Sequence, residues 1–284
     1  MHPQVIYNHR LLEATKARLL PVTSAALYGR GVFTTLAIYD SRPFLWPQHW
    51  ARLLEHAART DVDCTAFDEE GVSADLARLI EANRVRDGRA RITLFGSAAR
   101  DVWKLKGGVT RKTEMLIMTG DVRVIGEEGL ALTVSPYRIN THSPLVGVKS
   151  VNYLHHLMSW EEAQARDFDE AVTLNERGEV TSATMANIFW ATDGTIHTPA
   201  LSTGALAGTT RARVIALANE LSVPHVEGVY ELSQLGDADE IFLTSAGLGV
   251  AIVTTFDFHR YTVAVGSVAL RLREAFRQLT LRAD

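Results

Sequence analysis

Residues 149–190 read KSVNYLHHLMSWEEAQARDFDEAVTLNERGEVTSATMANIFW, and this stretch decides the fold class. A helix is expected over 150–166. A strand pair then begins at 170–174, turned by Asn175-Glu176-Arg177-Gly178, residues that suit a tight turn. A further hairpin follows over 187–191 and 195–197, with Asp193-Gly194 at its tip. A helix succeeded by hairpins marks an α+β chain, in which helices cover antiparallel strands.

Moving outward, 130–135 reads as a strand, and the turn-rich PYRINTHSP (136–144) leads into Val146-Gly147-Val148-Lys149. In the first third, 5–7 is a short apolar run that Asn8-His9 can turn into a hairpin. VFTTLAIY (32–39) is rich in β-branched and aromatic residues. Asp40-Ser41-Arg42-Pro43 breaks it, and 44–46 is expected to return as a partner strand. Pro47 suits the first turn of a helix through about Thr60, with Trp50, Leu53, Leu54 and Ala57 at helical spacing. A second helix is expected over 68–84, then strands at 90–95 and 115–119, joined by the loop GSAARDVWKLKGGVTRK (96–112). Downstream come a helix over 209–221, strands near Val226, Ile241 and Val250, and a closing helix over 266–279. The expected division is a small α+β domain over 1–119, a linker over 120–129 and a larger domain over 130–284.

Composition narrows the function. The 284 residues are 46% hydrophobic and 22% charged, with a formal net charge of -4. No long basic run occurs, which argues against nucleic acid. No apolar stretch approaches the roughly 20 residues that span a bilayer, and no signal region opens the chain, so a cytoplasmic protein is expected. Cys64 is the single cysteine, which excludes an internal disulfide and a multi-cysteine metal site. Metal is not expected: there is no HExxH, and the adjacent His155-His156 do not share a helix face. GxSxG and Walker-type loops are also absent from the sequence.

The first chemical clue is a lysine. Of Lys16, Lys104, Lys106, Lys112 and Lys149, the first four lie in segments that also carry other charged residues, whereas Lys149 has Val146-Gly147-Val148 before it and Val151 after. Desolvation lowers a lysine's pKa, and the neutral amine that results is what attack on a carbonyl requires. A lysine snorkelling from a strand end, its stem buried and its ammonium wet, fits the same spacing.

Five segments then run together: YGRGVFTTLAIYD (28–40), HWARL (49–53), the 149–190 stretch, LAGTTRARVIALANEL (206–221) and EIFLTSAGLGV (240–250). In order and spacing they resemble the class IV aminotransferases. These fold-type IV enzymes use pyridoxal 5'-phosphate (PLP) and include branched-chain and D-amino-acid aminotransferases and aminodeoxychorismate lyase. The resemblance implies a two-domain α+β fold of the D-amino-acid aminotransferase type, the larger domain binding PLP. It also implies a homodimer, because the family builds its active site at the domain interface with help from a neighbouring subunit.

By the same resemblance Lys149 is the Schiff-base lysine and shuttles protons at the substrate's α-carbon. Arg52 matches the arginine that holds the cofactor phosphate; without the match it reads as a helix-surface arginine. Gly208, Thr209 and Thr210 match a phosphate-binding helix N-terminus, though Thr209 or Thr210 also reads as an ordinary helix cap. Ser245 and the amide of Ala246 match a second phosphate-contacting turn, where many relatives have a hydroxyl at 246. Tyr153, taken one helical turn beyond Lys149, matches an aromatic beside the cofactor ring; core packing is the other reading. Tyr28 and Phe33 fall in the segment that lines the substrate pocket, and Arg100 either holds a substrate carboxylate or is a solvated loop residue. Asn187 matches a structural position.

One position departs from the pattern. The family places a glutamate where it keeps the cofactor's pyridine nitrogen protonated; here the matching residue is Ser182, with Glu179 on the other strand face. A hydroxyl cannot hold the nitrogen charged, so amino-group transfer should slow more than elimination. Three functions therefore stand open. The first is transfer of an amino group between an amino acid and a 2-oxo acid. The second is aminodeoxychorismate lyase, releasing pyruvate and forming p-aminobenzoate, which Phe33-Thr34-Thr35 and ANIFW (186–190) favour. The third is a member that binds PLP with lost or altered chemistry.

Overall fold

The computed structural model describes residues 1–97, 112–126 and 129–281. They divide into two units: Met1–Val122 together with Val148–Tyr153, and Arg123–Gly147 together with the chain from Leu154 onward.

The first unit opens with a hairpin of β1 (Gln4–Tyr7) and β2 (Arg10–Glu13). Asn8 and His9 turn it at φ 49° and 63°, the left-handed pair that a two-residue hairpin turn needs. Helix α1 (Ser24–Tyr28) is capped by the Thr23 hydroxyl, which accepts from Ala26 N–H, and stops at Gly29 with φ 66°. There follow β3 (Gly31–Tyr39), β4 (Arg42–Pro43), α2 (Trp46–Arg59), α3 (Glu69–Ala82), β5 (Gly88–Gly96) and β6 (Thr113–Gly120). The sheet order is β2-β1-β6-β5-β3-β4, antiparallel at every pair.

Asp68 caps α3 by accepting Gly71 N–H at 2.7 Å, and α3 sends Val72, Leu76, Leu79 and Ile80 into one core with Leu36, Ile38, Leu53, Ile92 and Leu94. Each such side chain, fully buried, contributes about 1.5–3 kcal/mol, so packing rather than helix propensity holds α2 and α3 in place.

Two expectations fail around α2. Asp40 and Ser41 take φ 46° and 64°, so the return strand comes early, at Arg42–Pro43. Leu45, at φ 55°, then turns the chain into a helix that already begins at Trp46, leaving no strand over 44–46. Leu54 is 36% exposed, while the buried face consists of His49, Trp50, Arg52, Leu53, His56 and Ala57. Half of that face is polar.

The second unit contains β7 (Leu130–Ile139), α4 (Leu154–Gln164), β8 (Glu170–Asn175), β9 (Val180–Ala183), β10 (Asn187–Thr192), β11 (Thr195–Pro199), α5 (Thr209–Glu220), β12 (His225–Gly228), α6 (Ser233–Gly236), β13 (Glu240–Ser245), β14 (Gly249–Phe256), β15 (His259–Arg260) and α7 (Val268–Leu281). Its sheet runs β12-β11-β10-β13-β14-β7-β8-β9, with β15 on β14. Both expected hairpins are present, and Asp193 and Gly194 turn the second at φ 48° and 76°. Helix α4 packs on β7 and β8, and α7 on β13, β14 and α5.

Here too the structure corrects the sequence reading. β7 continues through Pro136 to Ile139 because its register on β8 shifts between Val134 and Arg138, and a proline that cannot donate is accommodated at such an irregularity. α4 begins at Leu154 rather than at 150. The residues ahead of it are extended along β3: Phe33 N–H donates to Lys149 O at 2.9 Å, Val151 N–H donates to Gly31 O at 3.0 Å, and Ser150 bridges Val32. β4 covers that edge of β3 only at Ile38 and Tyr39, so residues 149–151 occupy the edge near the strand's start. No helix among the described residues is long and apolar enough to cross a membrane.

Candidate active site

The lysine singled out by its neighbours lies among two aromatic rings and a tyrosine hydroxyl. Its amine is 4.7 Å from the Phe33 ring centroid, 5.0 Å from that of Tyr153, and 3.5 Å from the Tyr153 hydroxyl. Phe33 and Tyr153 meet edge to face at 5.2 Å. Arg91, on β5, lays its guanidinium 3.6 Å over the Phe33 ring, a favourable cation–aromatic geometry. Tyr153 thus reaches Lys149, but along an extended segment and not one turn up a helix.

Behind this group, β3 and α2 share a buried polar seam. Thr34 Oγ1 accepts from Arg52 Nη2 at 3.1 Å and lies 2.8 Å from His49 Nδ1. Arg52 is 8% exposed, so it is not the helix-surface arginine of the alternative reading. Burial, followed by Arg52 and Lys149, holds His49 down to about 3. A basic cluster of this kind keeps its imidazoles neutral because a further positive charge would be repelled.

Lys149 itself is lowered from the usual 10.5 to about 7, first by burial, then by Arg52 and Arg91. Near neutral pH a large share of the amine is therefore uncharged and nucleophilic. The snorkelling alternative would leave it near its ordinary value. Between pH 7 and that ordinary value the unfolded chain holds more protons than the folded one, so stability rises with pH across this window. Lys149→Met is expected to flatten the rise. Urea unfolding of cofactor-free protein at about pH 6.5 and about pH 9 tests this, and equal slopes in the two proteins would contradict the lowered amine.

The second unit places the other candidates. Ser182 lies opposite Thr173, with their hydroxyl oxygens 3.0 Å apart, and Thr173 Oγ1 is also 2.7 Å from Thr181 Oγ1. Glu179 precedes β9 and is engaged by Arg177 at 2.7 Å and Asn175 Nδ2 at 2.6 Å. Among the described residues, the side-chain hydrogen bonds at Ser182 run through the hydroxyls of Thr173 and Thr181. Gly208 is the N-cap of α5, and no side chain caps it, so Thr209 and Thr210 follow the cap and do not form it. A Cβ on Gly208 would fall 2.1 Å from Asn187 Oδ1, while Asn187 Nδ2 holds Leu206 O at 2.9 Å. Asn187 therefore shapes this turn. Ser245 ends β13, and its hydroxyl accepts Leu248 N–H at 3.2 Å in the turn that contains Ala246.

Tyr28 ends α1 with 58% exposure and makes none of these contacts among the described residues; Arg100 lies outside the described residues. Among the described residues no group of three or more His, Cys, Asp and Glu side chains could hold a metal ion.

The comparisons with known proteins agree with this chemistry. The profile of the amino-transferase class IV family matches residues 31–256. The chain belongs to the class IV aminotransferases. A protein of Methanocaldococcus jannaschii named "Putative branched-chain-amino-acid aminotransferase" is 30% identical over 97% of this chain and 96% of its own. The aminodeoxychorismate lyase of Bacillus subtilis is 28% identical over 96% and 94%. The crystal structure of the branched-chain aminotransferase of Thermoproteus uzoniensis with norvaline superposes with a TM-score of 0.92 at 26% identity, covering 100% of this chain and 96% of that one. The expected α+β fold of the fold-type IV enzymes is thereby established, and the family is PLP-dependent.

In this class IV aminotransferase the sequence reading missed His49, His56, Thr34 and Arg91. His49 is within HWARL (49–53), where helical phase alone would have placed it on the Arg52 face. Arg91 carried no signal, because nothing local distinguishes a strand arginine beside the Lys149 cluster from a solvated one.

Proposed function

We propose that the chain moves an amino group between an amino acid and a 2-oxo acid, with PLP held covalently by Lys149. The observation that supports this most directly is the Lys149 amine itself, brought to about 7 between two aromatic rings and two arginines. The residues fit the cofactor's chemistry: a phosphate dianion wants a fixed guanidinium and a carbonyl carbon wants a neutral amine, and Arg52 and Lys149 supply these. Bound there, PLP supplies an electron sink for the pair left on the substrate's α-carbon. Lys149 takes the α-proton and returns it. Tyr153 orients the amine through its hydroxyl, and Phe33 excludes water from beneath it. Arg91 offers its planar fork to the substrate carboxylate. For Gly208, Thr209, Thr210, Ser245 and Ala246 the assignment is to phosphate, and for Ser182 to the pyridine nitrogen; both rest on the family resemblance and on the local turns and hydroxyls. A homodimer in the cytoplasm accords with the family and with a lone cysteine in a reducing compartment.

The lyase reading is retained because of Ser182. A hydroxyl bonded to Thr173 gives the ring nitrogen less charge than a carboxylate would, and elimination depends on that charge less than transfer does. Incubating PLP-loaded protein with L- and D-amino acids, and separately with aminodeoxychorismate, decides between them. Transfer predicts loss of the visible band with at least one donor; p-aminobenzoate formation with every donor inert would sink it. Ser182→Glu is expected to raise the rate of amino-group uptake roughly 10-fold or more, as placing a charge where one develops does. An unchanged spectrum and rate would mean that Ser182 does not face the nitrogen.

A further inference from the structure

Helix α2 places Arg52 and His56 one turn apart on its buried face. Arg52 donates to Thr34 on β3, while His56, 2% exposed, holds the segment paired with that strand: Lys149 backbone N–H donates to His56 Nδ1 at 3.1 Å. An amide N–H can only donate, so Nδ1 carries no hydrogen and the ring proton is on Nε2. Burial, then Arg52, Arg59 and Lys149, holds His56 down to about 4, which keeps it an acceptor throughout the neutral range. The carbonyl of Lys149 is meanwhile held by Phe33 N–H at 2.9 Å. The main chain of this one residue is thus gripped from two directions, by β3 through its C=O and by α2 through its N–H.

We propose that His56 is a positioning residue that ties the Lys149 backbone to α2, so that this helix sets the spacing between the Arg52 guanidinium and the lysine amine. The inference deepens the PLP reading and rests on it. A cofactor anchored by its phosphate presents its carbonyl carbon at a fixed reach, and reactivity falls steeply when the attacking atom is misplaced by about 1 Å. His56 acts through main-chain geometry alone and takes no proton in the reaction.

Side-chain isosteres test this. Asparagine places its Oδ1 where Nδ1 lies, glutamine moves the acceptor one methylene away, and leucine removes it. In cofactor-free protein, amide exchange at Lys149 should match wild type in His56→Asn and be faster by roughly 10-fold or more in His56→Gln and His56→Leu. On addition of PLP, uptake through the phosphate should persist in all of them. The visible band of lysine-bound PLP should appear at the wild-type rate in His56→Asn and on the order of 10- to 100-fold more slowly in the other two. A space-filling role predicts no split between uptake and band formation, and no rescue by asparagine. Asparagine and glutamine behaving alike would overturn the proposal, and that pair still decides the matter if the leucine variant does not fold. Wild-type protein that takes up no PLP would sink the proposed function and the spacing role with it; normal uptake with unchanged exchange in His56→Leu would sink His56 alone.

Discussion

Lys149→Ala is expected to be colourless when saturated with PLP and to lose at least roughly 10⁴-fold in turnover, the upper range for removal of a proton-transfer group. The loss should be larger than for any other single substitution, because the proposed function asks this amine both to hold the cofactor and to move the α-proton. Visible absorption and single-turnover kinetics on the same sample separate the two roles. PLP should still bind through its phosphate, with weaker retention on dialysis. A wild-type band in the alanine variant would place the bond on another lysine. That outcome is poorly compatible with Lys16, which is exposed and paired with Glu13 at 3.2 Å.

Arg52→Leu should weaken PLP binding on the order of 100-fold, about 3 kcal/mol, the usual loss when one partner of a buried charge pair is truncated. The same change should raise the Lys149 pKa, because Arg52 is the first charge, after burial itself, that holds the amine down. The band should then develop only at higher pH, which distinguishes Arg52 from a residue that merely packs. Arg52→Lys keeps the charge without the planar fork and should fall between leucine and wild type. Retention of full PLP affinity by Arg52→Leu would move the phosphate seat elsewhere.

What was legible in the sequence followed local rules. Asn8-His9 and Asp193-Gly194 announced their hairpins because left-handed φ values suit few residues, and Pro47 marked a helix start within a residue of the observed one. The failures have local causes too. Residues 44–46 looked like a strand because they are apolar and aromatic, yet the positive φ of Leu45 turned them into a helix entry. Leu54 matched the spacing of the core but faces outward, because the inner face of α2 was given to His49, Arg52 and His56. An apolar count is blind to a buried face that is polar.

Helix propensity also placed the start of α4 at 150, where pairing with β3 keeps the chain extended. That error bore on the site, since Tyr153 was taken to reach Lys149 along a helix. The residues do meet, at 3.5 Å, by a different path.

By itself the sequence determined the α+β class and the family and singled out Lys149 as the candidate lysine, because turn chemistry, hydrophobic period and ordered motifs are written in neighbouring residues. Only the tertiary structure decided what surrounds that lysine. Arg91 and Phe33 stack beside it, and His56 grips its backbone across 93 positions of chain. The lowered pKa of Lys149 depends on desolvation and on charges from β5 and α2, and no window along the chain contains them.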